Sequence, residues 1–98
     1  MHTCVADMSL ESGRNILLDA SISLFGDSLD CLINNVGTNI RKSAIEYDSS
    51  EYAKIMETNL VSAFSLSQKF YSQLQKSGRG SVVNVGSVAG YPLLNKFF

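Results

Sequence analysis

Three places in this sequence hold residues whose type and spacing suit chemistry: Ser87, Asn59 and the turn Asn34-Asn35-Val36-Gly37. Ser87 lies in the run Ser81–Gly90, which reads Ser-Val-Val-Asn-Val-Gly-Ser-Val-Ala-Gly. A β-branched run bounded by glycines reads as a short strand buried on both faces. The end of such a strand is where open α/β sheets hold ligand and reacting groups. Asn59 falls within an apolar helical stripe, where an amide without partners costs about 1–3 kcal/mol. It therefore needs hydrogen bonds from a neighbouring carbonyl, from water or from a site, and spacing alone leaves these readings open. Asn and Gly in the Asn34–Gly37 turn both tolerate positive φ, which permits a tight reversal.

The elements that must position these groups follow from hydrophobic period. His2–Ala6 is a candidate strand. Ser9 is a candidate N-cap for a helix to about Phe25, with Ile16, Leu17, Ala20, Ser21 and Leu24 as its stripe and Gly26 as its stop. Gly13 weakens that helix by about 1 kcal/mol relative to alanine. Leu29–Asn34 is a second buried strand, and Thr38–Tyr47 reads as a loop whose Arg41 and Lys42 form a solvated rim. Asp48-Ser49-Ser50-Glu51 has capping-box spacing. From it a long helix carries Tyr52, Ile55, Met56, Asn59, Leu60, Ala63, Ser67, Phe70 and Leu74 on one stripe, until Gly78 ends it.

Strands alternating with helices imply a parallel sheet with right-handed crossovers. The expected fold class is α/β: a partial Rossmann-like, doubly wound parallel sheet in strand-helix-strand-helix-strand order. Parallel strands bring the Asn34–Gly37 turn and Ser87 to one edge of the sheet. The helix, at about 40 Å against about 20 Å for a strand, overhangs that edge and brings Asn59 to it.

Composition excludes several function classes. Ninety-eight residues make at most one small domain, and 45% apolar against 17% charged residues argues against disorder. A net charge of −1 gives no basic stripe for nucleic acid. No apolar run approaches the about 20 residues of a membrane span, and the first residues are not a signal peptide. Cys4 and Cys31 lack a framework spacing and read as structural thiols of a reducing, cytoplasmic compartment, with Cys31 buried. His2 is the one histidine, so neither a Ser/His/Asp site nor a metal site is expected.

With these residues in hand, the chain resembles the short-chain dehydrogenase/reductase family, and within it the tropinone-reductase-like group. Asn34-Asn35-Val36-Gly37 is similar to the family's Asn-Asn-Ala-Gly turn, and Thr38-Asn39-Ile40-Arg41-Lys42 to the subgroup's following loop. Glu57-Thr58-Asn59-Leu60 resembles the helix that carries the catalytic asparagine, and Val83–Gly90 the strand that carries the catalytic serine. Asp7, after Cys-Val-Ala, looks like the aspartate that contacts adenine. The resemblance implies that Ser87 hydrogen-bonds a substrate carbonyl or hydroxyl and that Asn59 holds a water of the proton relay. It also implies that Asp7, Asn35, Val36 and Gly37 contact the cofactor and that Asn34 stabilises the sheet. The implied reaction is hydride transfer between NADP(H), or NAD(H), and a small ketone or alcohol.

The departures from the family pattern set further expectations. The Gly-rich phosphate turn after the family's first strand and its Tyr-x-x-x-Lys do not occur in these residues, and Tyr91 does not substitute, since Asn95 stands where the lysine would. Residues 1–90 thus read as the central part of a dinucleotide-binding domain and 91–98 as a divergent tail. The expected function is a fragment of an NADP(H)-dependent short-chain oxidoreductase, inactive alone and not expected to bind cofactor unaided. The alternative is a non-enzymatic partner that associates with itself or with a full-length relative through residues 48–77, flanked by Phe64 and Tyr71. With both helices on one face, the other face of the sheet is expected to be bare, and the monomer to be marginal.

Overall fold

A computed structural model describes residues 1–88, so the last residues of the Ser81–Gly90 run and the 91–98 tail lie outside the described residues. The two valine- and isoleucine-containing runs form a parallel pair, β1 (Cys31–Asn34) and β2 (Ser81–Asn84), in register from Cys31 opposite Ser81 to Asn34 opposite Asn84. Helix α1 (Glu11–Phe25) precedes β1. A one-turn 3-10 segment (Ala44–Glu46), α2 (Ser49–Met56), a π-helical turn (Glu57–Val61), α3 (Ser62–Lys69) and α4 (Tyr71–Ser77) connect the two strands.

Phe70, only 1% exposed, is the centre of the core, with Met8, Leu32, Leu66 and Leu74 around it. Leu17 and Leu18 of α1 and Leu29 pack against this cluster. Polar ties fix the helices over it. Gln73 Nε2 donates to the Gly26 carbonyl at 2.7 Å, Lys76 pairs with Asp27 at 2.7 Å, and Lys69 with Glu11 at 2.6 Å. No described helix is long and apolar enough to cross a membrane.

Local signals match the structure at the Asp48 capping box and at the glycine stops. Asp48 Oδ1 accepts from the Ser50 and Glu51 amides at 2.8 and 2.9 Å, and Glu51 Oε2 accepts from the Asp48 amide at 3.1 Å. The helices end at Gly26 and Gly78, both at positive φ.

Several expectations are corrected. His2–Ala6 forms no strand: a strand requires a ladder with a neighbour's backbone groups, and among the described residues only β1 and β2 form one. Ser9 is not the cap of α1. Leu10 holds that place without a side-chain bond, while Ser9 donates from its amide and hydroxyl to Asp7 Oδ1 at 2.9 and 2.7 Å. The buried side of α1 is Gly13, Arg14 and Ser21, and Ile16 and Leu24 are exposed. Gly13 is there for closeness: a Cβ would stand 1.9 Å from the Asp7 carbonyl oxygen.

The long helix is not uniform, and its buried stripe runs Thr58, Ser62, Leu66, Phe70 and Leu74, leaving Tyr52, Asn59 and Leu60 exposed. Hydroxyls can occupy that stripe because Ser62 Oγ donates to the Thr58 carbonyl at 2.6 Å. β2 is exposed along its whole length and Cys31 is exposed too, because the helices cover one face of a sheet that is two strands wide among the described residues. Ile33 and Val83, opposite one another on the uncovered face, are 61% and 45% exposed. Lys42 does not sit in a solvated rim but grips both Glu51 oxygens at 2.6 and 2.7 Å, tying the loop to α2.

Candidate functional site

The site is built where the parallel strands end. Because Asn34 pairs with Asn84, the turn that follows β1 and the Val85–Ser87 segment that follows β2 leave the sheet on the same edge. The Val85 amide donates to the Asn34 carbonyl at 2.9 Å, carrying the ladder one step further toward Ser87. Asn34 Nδ2 bridges the strands by donating to Asn84 Oδ1 at 2.9 Å and, more distantly, to Ser67 Oγ of α3 at 3.4 Å. Its own Oδ1 is buried and has no hydrogen-bond partner among the described residues.

Asn59 reaches the same edge from the helix. It stands in the π-helical turn Glu57–Val61, where the backbone is wound wider than in α2 and α3 on either side. Its Oδ1 accepts from the Thr38 amide at 2.7 Å, and its Nδ2 donates to the Thr38 carbonyl at 2.8 Å. Both ends of the amide are thus used on one backbone unit, the first after Gly37. The need for partners raised by the sequence is met, although Asn59 is exposed rather than buried in the stripe. Thr38 has no signature in the sequence, because it takes part through its backbone.

Arg14 is a second residue that the pattern does not reveal. It is 5% exposed, and its Nη1 donates to the Met8 carbonyl at 2.8 Å and lies 3.8 Å from Glu57 Oε2. Its Nη2 donates to Glu11 Oε2 at 3.1 Å. One guanidinium therefore joins the turn before α1 to the first residue of the π turn. Buried arginine is rare unless paired, and these acids pair it.

The remaining candidates stand apart from the Asn59–Thr38 contact. Asp7 is exposed, and its Ser9 bonds hold its carboxyl below the usual carboxylate range. Both bonds fall on Oδ1. At Gly37 an added Cβ would meet only Asn59 Oδ1, at an ordinary 3.6 Å, so protein packing does not require glycine there. The backbone of residues 35–37 is open on its outer side, which fits the close approach of a ligand. Ala6 and Met8 share a cleft of about 700 Å3 with Asn34, Val36, Asn59 and Asn84. Of the residues singled out in the sequence, the structure ties Asn59 to Thr38, the residue after the Asn34–Gly37 turn, and the segment carrying Ser87 leaves the sheet on the same edge.

Comparison with known proteins bears on the family and the fold. The sequence profile of the short chain dehydrogenases matches residues 1–96. A tropinone reductase homolog of Arabidopsis thaliana is 54% identical over 86 residues, covering 88% of this chain and 33% of that protein. Senescence-associated protein 13 of the same plant is 42% identical over 93 residues, covering 95% of this chain and 35% of its own length. The chain therefore spans about a third of these relatives. RhlG of Pseudomonas aeruginosa, solved as an NADP active-site complex, superposes with a TM-score of 0.75 at 37% identity over 87% of this chain and 34% of that one. L-sorbose reductase of Gluconobacter frateurii, solved with NADPH and L-sorbose, shares the fold at a TM-score of 0.80 and 21% identity, over 86% of this chain and 32% of its own. The neighbours are Rossmann-fold enzymes, and the chain belongs to the short chain dehydrogenase family.

Proposed function

We propose that these residues form the central part of an NADP(H)-dependent oxidoreductase that interconverts a small ketone and its alcohol in the cytoplasm, and that the 98-residue chain is inactive by itself. The observation that carries this reading is the double hydrogen bond between Asn59 and the Thr38 backbone, which fixes the helix to the turn at Asn34–Gly37. In this reading Asp7 offers its second carboxylate oxygen to the adenine end of the cofactor, and Asn35, Val36 and Gly37 lie against its ribose. Ser87 donates a hydrogen bond to the substrate oxygen and stabilises charge that develops there. Asn59 holds the loop and orders a water beside it. The bound cofactor supplies or accepts the hydride. The residues present fit the ribose end, where Gly37 leaves room. These 98 residues contain no Gly-rich phosphate turn and no Tyr-x-x-x-Lys, which supports inactivity of the chain alone.

The test has two arms. The purified chain is assayed for NADPH-dependent ketone reduction, where turnover would overturn the inactivity. Residues 2–88 are then grafted into the matching segment of the 54% identical Arabidopsis homolog. An active chimera that loses activity with Ser87→Ala, while keeping its melting temperature, supports the assignment; unchanged turnover removes it.

A second reading rests on α3 and α4. Phe64 and Tyr71 are 64% and 62% exposed and border a shallow hollow with Ser67 and Gln68. In this reading the chain is a non-enzymatic partner that docks residues 48–77 on a full-length relative or on a second copy. Co-expression with the Arabidopsis homolog should yield a stable mixed species, weakened by Phe64→Lys. Separate species on sizing would exclude the mixed species.

A further inference from the structure

We propose that Ser62 is a positioning residue: its buried hydroxyl holds the long helix in the π-helical turn that presents Asn59 to the Thr38 backbone. The backbone bonds around the turn single this residue out. The Ser62 amide donates to the Glu57 carbonyl, five residues back, instead of to the Thr58 carbonyl, its partner in an α-helix. The π turn closes at Val61, and α3 resumes at Ser62. One such turn between two α-helical segments passes over one carbonyl, here that of Thr58. Thr58 is buried, and a buried carbonyl needs a donor. Ser62 supplies it: the residue is 3% exposed, and its Oγ donates to the Thr58 carbonyl at 2.6 Å.

A similar bond elsewhere in the helix has a different meaning. Ser67 Oγ donates to the Ala63 carbonyl at 2.7 Å within α3, where helical spacing already gives that carbonyl the Ser67 amide. There the hydroxyl is a second donor; at Thr58 it replaces the amide. Without the Ser62 hydroxyl, the Thr58 carbonyl regains a donor if the Ser62 amide returns to it, which converts the π turn to α-helix. That change of winding turns the residues before Ser62 around the axis relative to α3. Asn59, three residues earlier, then leaves the backbone unit to which it is bonded at 2.7 and 2.8 Å. Arg14 Nη1, 3.8 Å from Glu57 Oε2, steadies the first residue of the turn but leaves the Thr58 carbonyl to Ser62. The importance of Asn59 rests on the proposed oxidoreductase reading, whereas the winding of the helix and the Thr38 contact do not. The test involves neither cofactor nor substrate, so the two can fail separately.

The experiment uses NMR on the full 98-residue chain. In the parent, scalar coupling across the hydrogen bond should link the Ser62 amide nitrogen to the Glu57 carbonyl carbon. Coupling to the Thr58 carbonyl carbon instead, or to neither, would overturn the proposal without any substitution. In Ser62→Ala, exchange of the Thr38 amide should rise about tenfold relative to that of Phe70, whose amide donates to the Leu66 carbonyl in the core. Taking the ratio removes any general loss of stability. Ser62→Thr keeps the hydroxyl and should keep the parent ratio, whatever its added methyl does to the melting temperature. Ser67→Ala removes a hydroxyl from the uninterrupted α3 and should also leave the ratio unchanged. An unchanged ratio in Ser62→Ala, or an equal rise in Ser62→Thr or Ser67→Ala, would show that the Ser62 hydroxyl does not position Asn59.

Discussion

The side-chain amide of Asn59 and the backbone of Thr38 close a ring of two hydrogen bonds, 2.7 and 2.8 Å long, between a helix and the loop that follows β1. A side-chain amide that matches one residue's backbone N–H and C=O fixes orientation as well as distance. The two residues belong to separate segments, so this ring sets how the Asn34–Gly37 turn sits against the π turn.

Asn59 variants separate the two bonds. Asn59→Leu removes both and should cost about 1 kcal/mol, with faster exchange of the Thr38 amide. Asn59→Asp keeps the acceptor for that amide but sets a carboxylate oxygen against the Thr38 carbonyl. Thr38 should then remain protected while stability still falls. Exchange measured at Thr38 checks both; equal exchange in all three proteins would show that the ring does not hold the loop.

Much of this arrangement is legible in the sequence, and the remainder fails for identifiable reasons. The Asp48–Glu51 capping box, the stops at Gly26 and Gly78 and the parallel strands rest on interactions within or between adjacent elements, so residue type is sufficient to reveal them. Asn59 stands out because its polarity conflicts with its neighbours. Thr38 does not, since it acts through the backbone. The burial of Arg14 and the exposure of Ile16 depend on which side of α1 meets the turn at Asp7, a tertiary choice that a stripe with polar residues on both flanks leaves undecided. His2–Ala6 has the composition of a strand but makes no ladder among the described residues, a long-range pairing that composition does not encode.

Phe70 is the largest fully buried side chain among the described residues and is surrounded by Met8, Leu32, Leu66 and Leu74. Phe70→Ala should cost about 3–5 kcal/mol through lost burial and the cavity left behind. In a core this small that loss is expected to abolish the cooperative melt. Tyr71→Ala next to it, at a 62% exposed position, should change stability by less than about 0.5 kcal/mol. Urea melts of the two variants compare them directly, and similar losses would contradict the placement of the core.

Glu11 predicts a pH dependence. Its carboxylate receives Lys69 Nζ at 2.6 Å and Arg14 Nη2 at 3.1 Å. The Lys69 hydrogen bond, and then that of Arg14, hold the carboxyl below the ordinary glutamate value of 4.5. Because the folded value is the depressed one, the bridge contributes fully above pH 4.5 and is lost as pH falls through the folded value. The difference in melting temperature between the parent and Glu11→Gln should therefore be constant at neutral pH and shrink below 4.5. A difference that does not depend on pH would rule out the ionic bridge. Salt should reduce the effect, since the Glu11 side chain is 60% exposed.

Gly13 provides a test in which helix propensity and packing predict opposite signs. Glycine inside a helix is about 1 kcal/mol worse than alanine, so propensity alone makes Gly13→Ala stabilising. Yet the added Cβ would stand 1.9 Å from the Asp7 carbonyl oxygen, 2.7 Å from its carbon and 2.9 Å from the Asp7 nitrogen, all backbone atoms. Relief then requires α1 to move away from the Asp7 turn, which strains the Arg14 bond to the Met8 carbonyl and the Leu10 amide bond to the Asp7 carbonyl. Overpacking of this kind costs about 1–3 kcal/mol, enough to reverse the propensity gain. Ser12→Ala, one residue earlier on the exposed side, adds a smaller propensity gain without the clash and should be slightly stabilising. Denaturant melts of the pair should move in opposite directions, and a stabilised Gly13→Ala protein would mean that α1 does not lie against the Asp7 backbone.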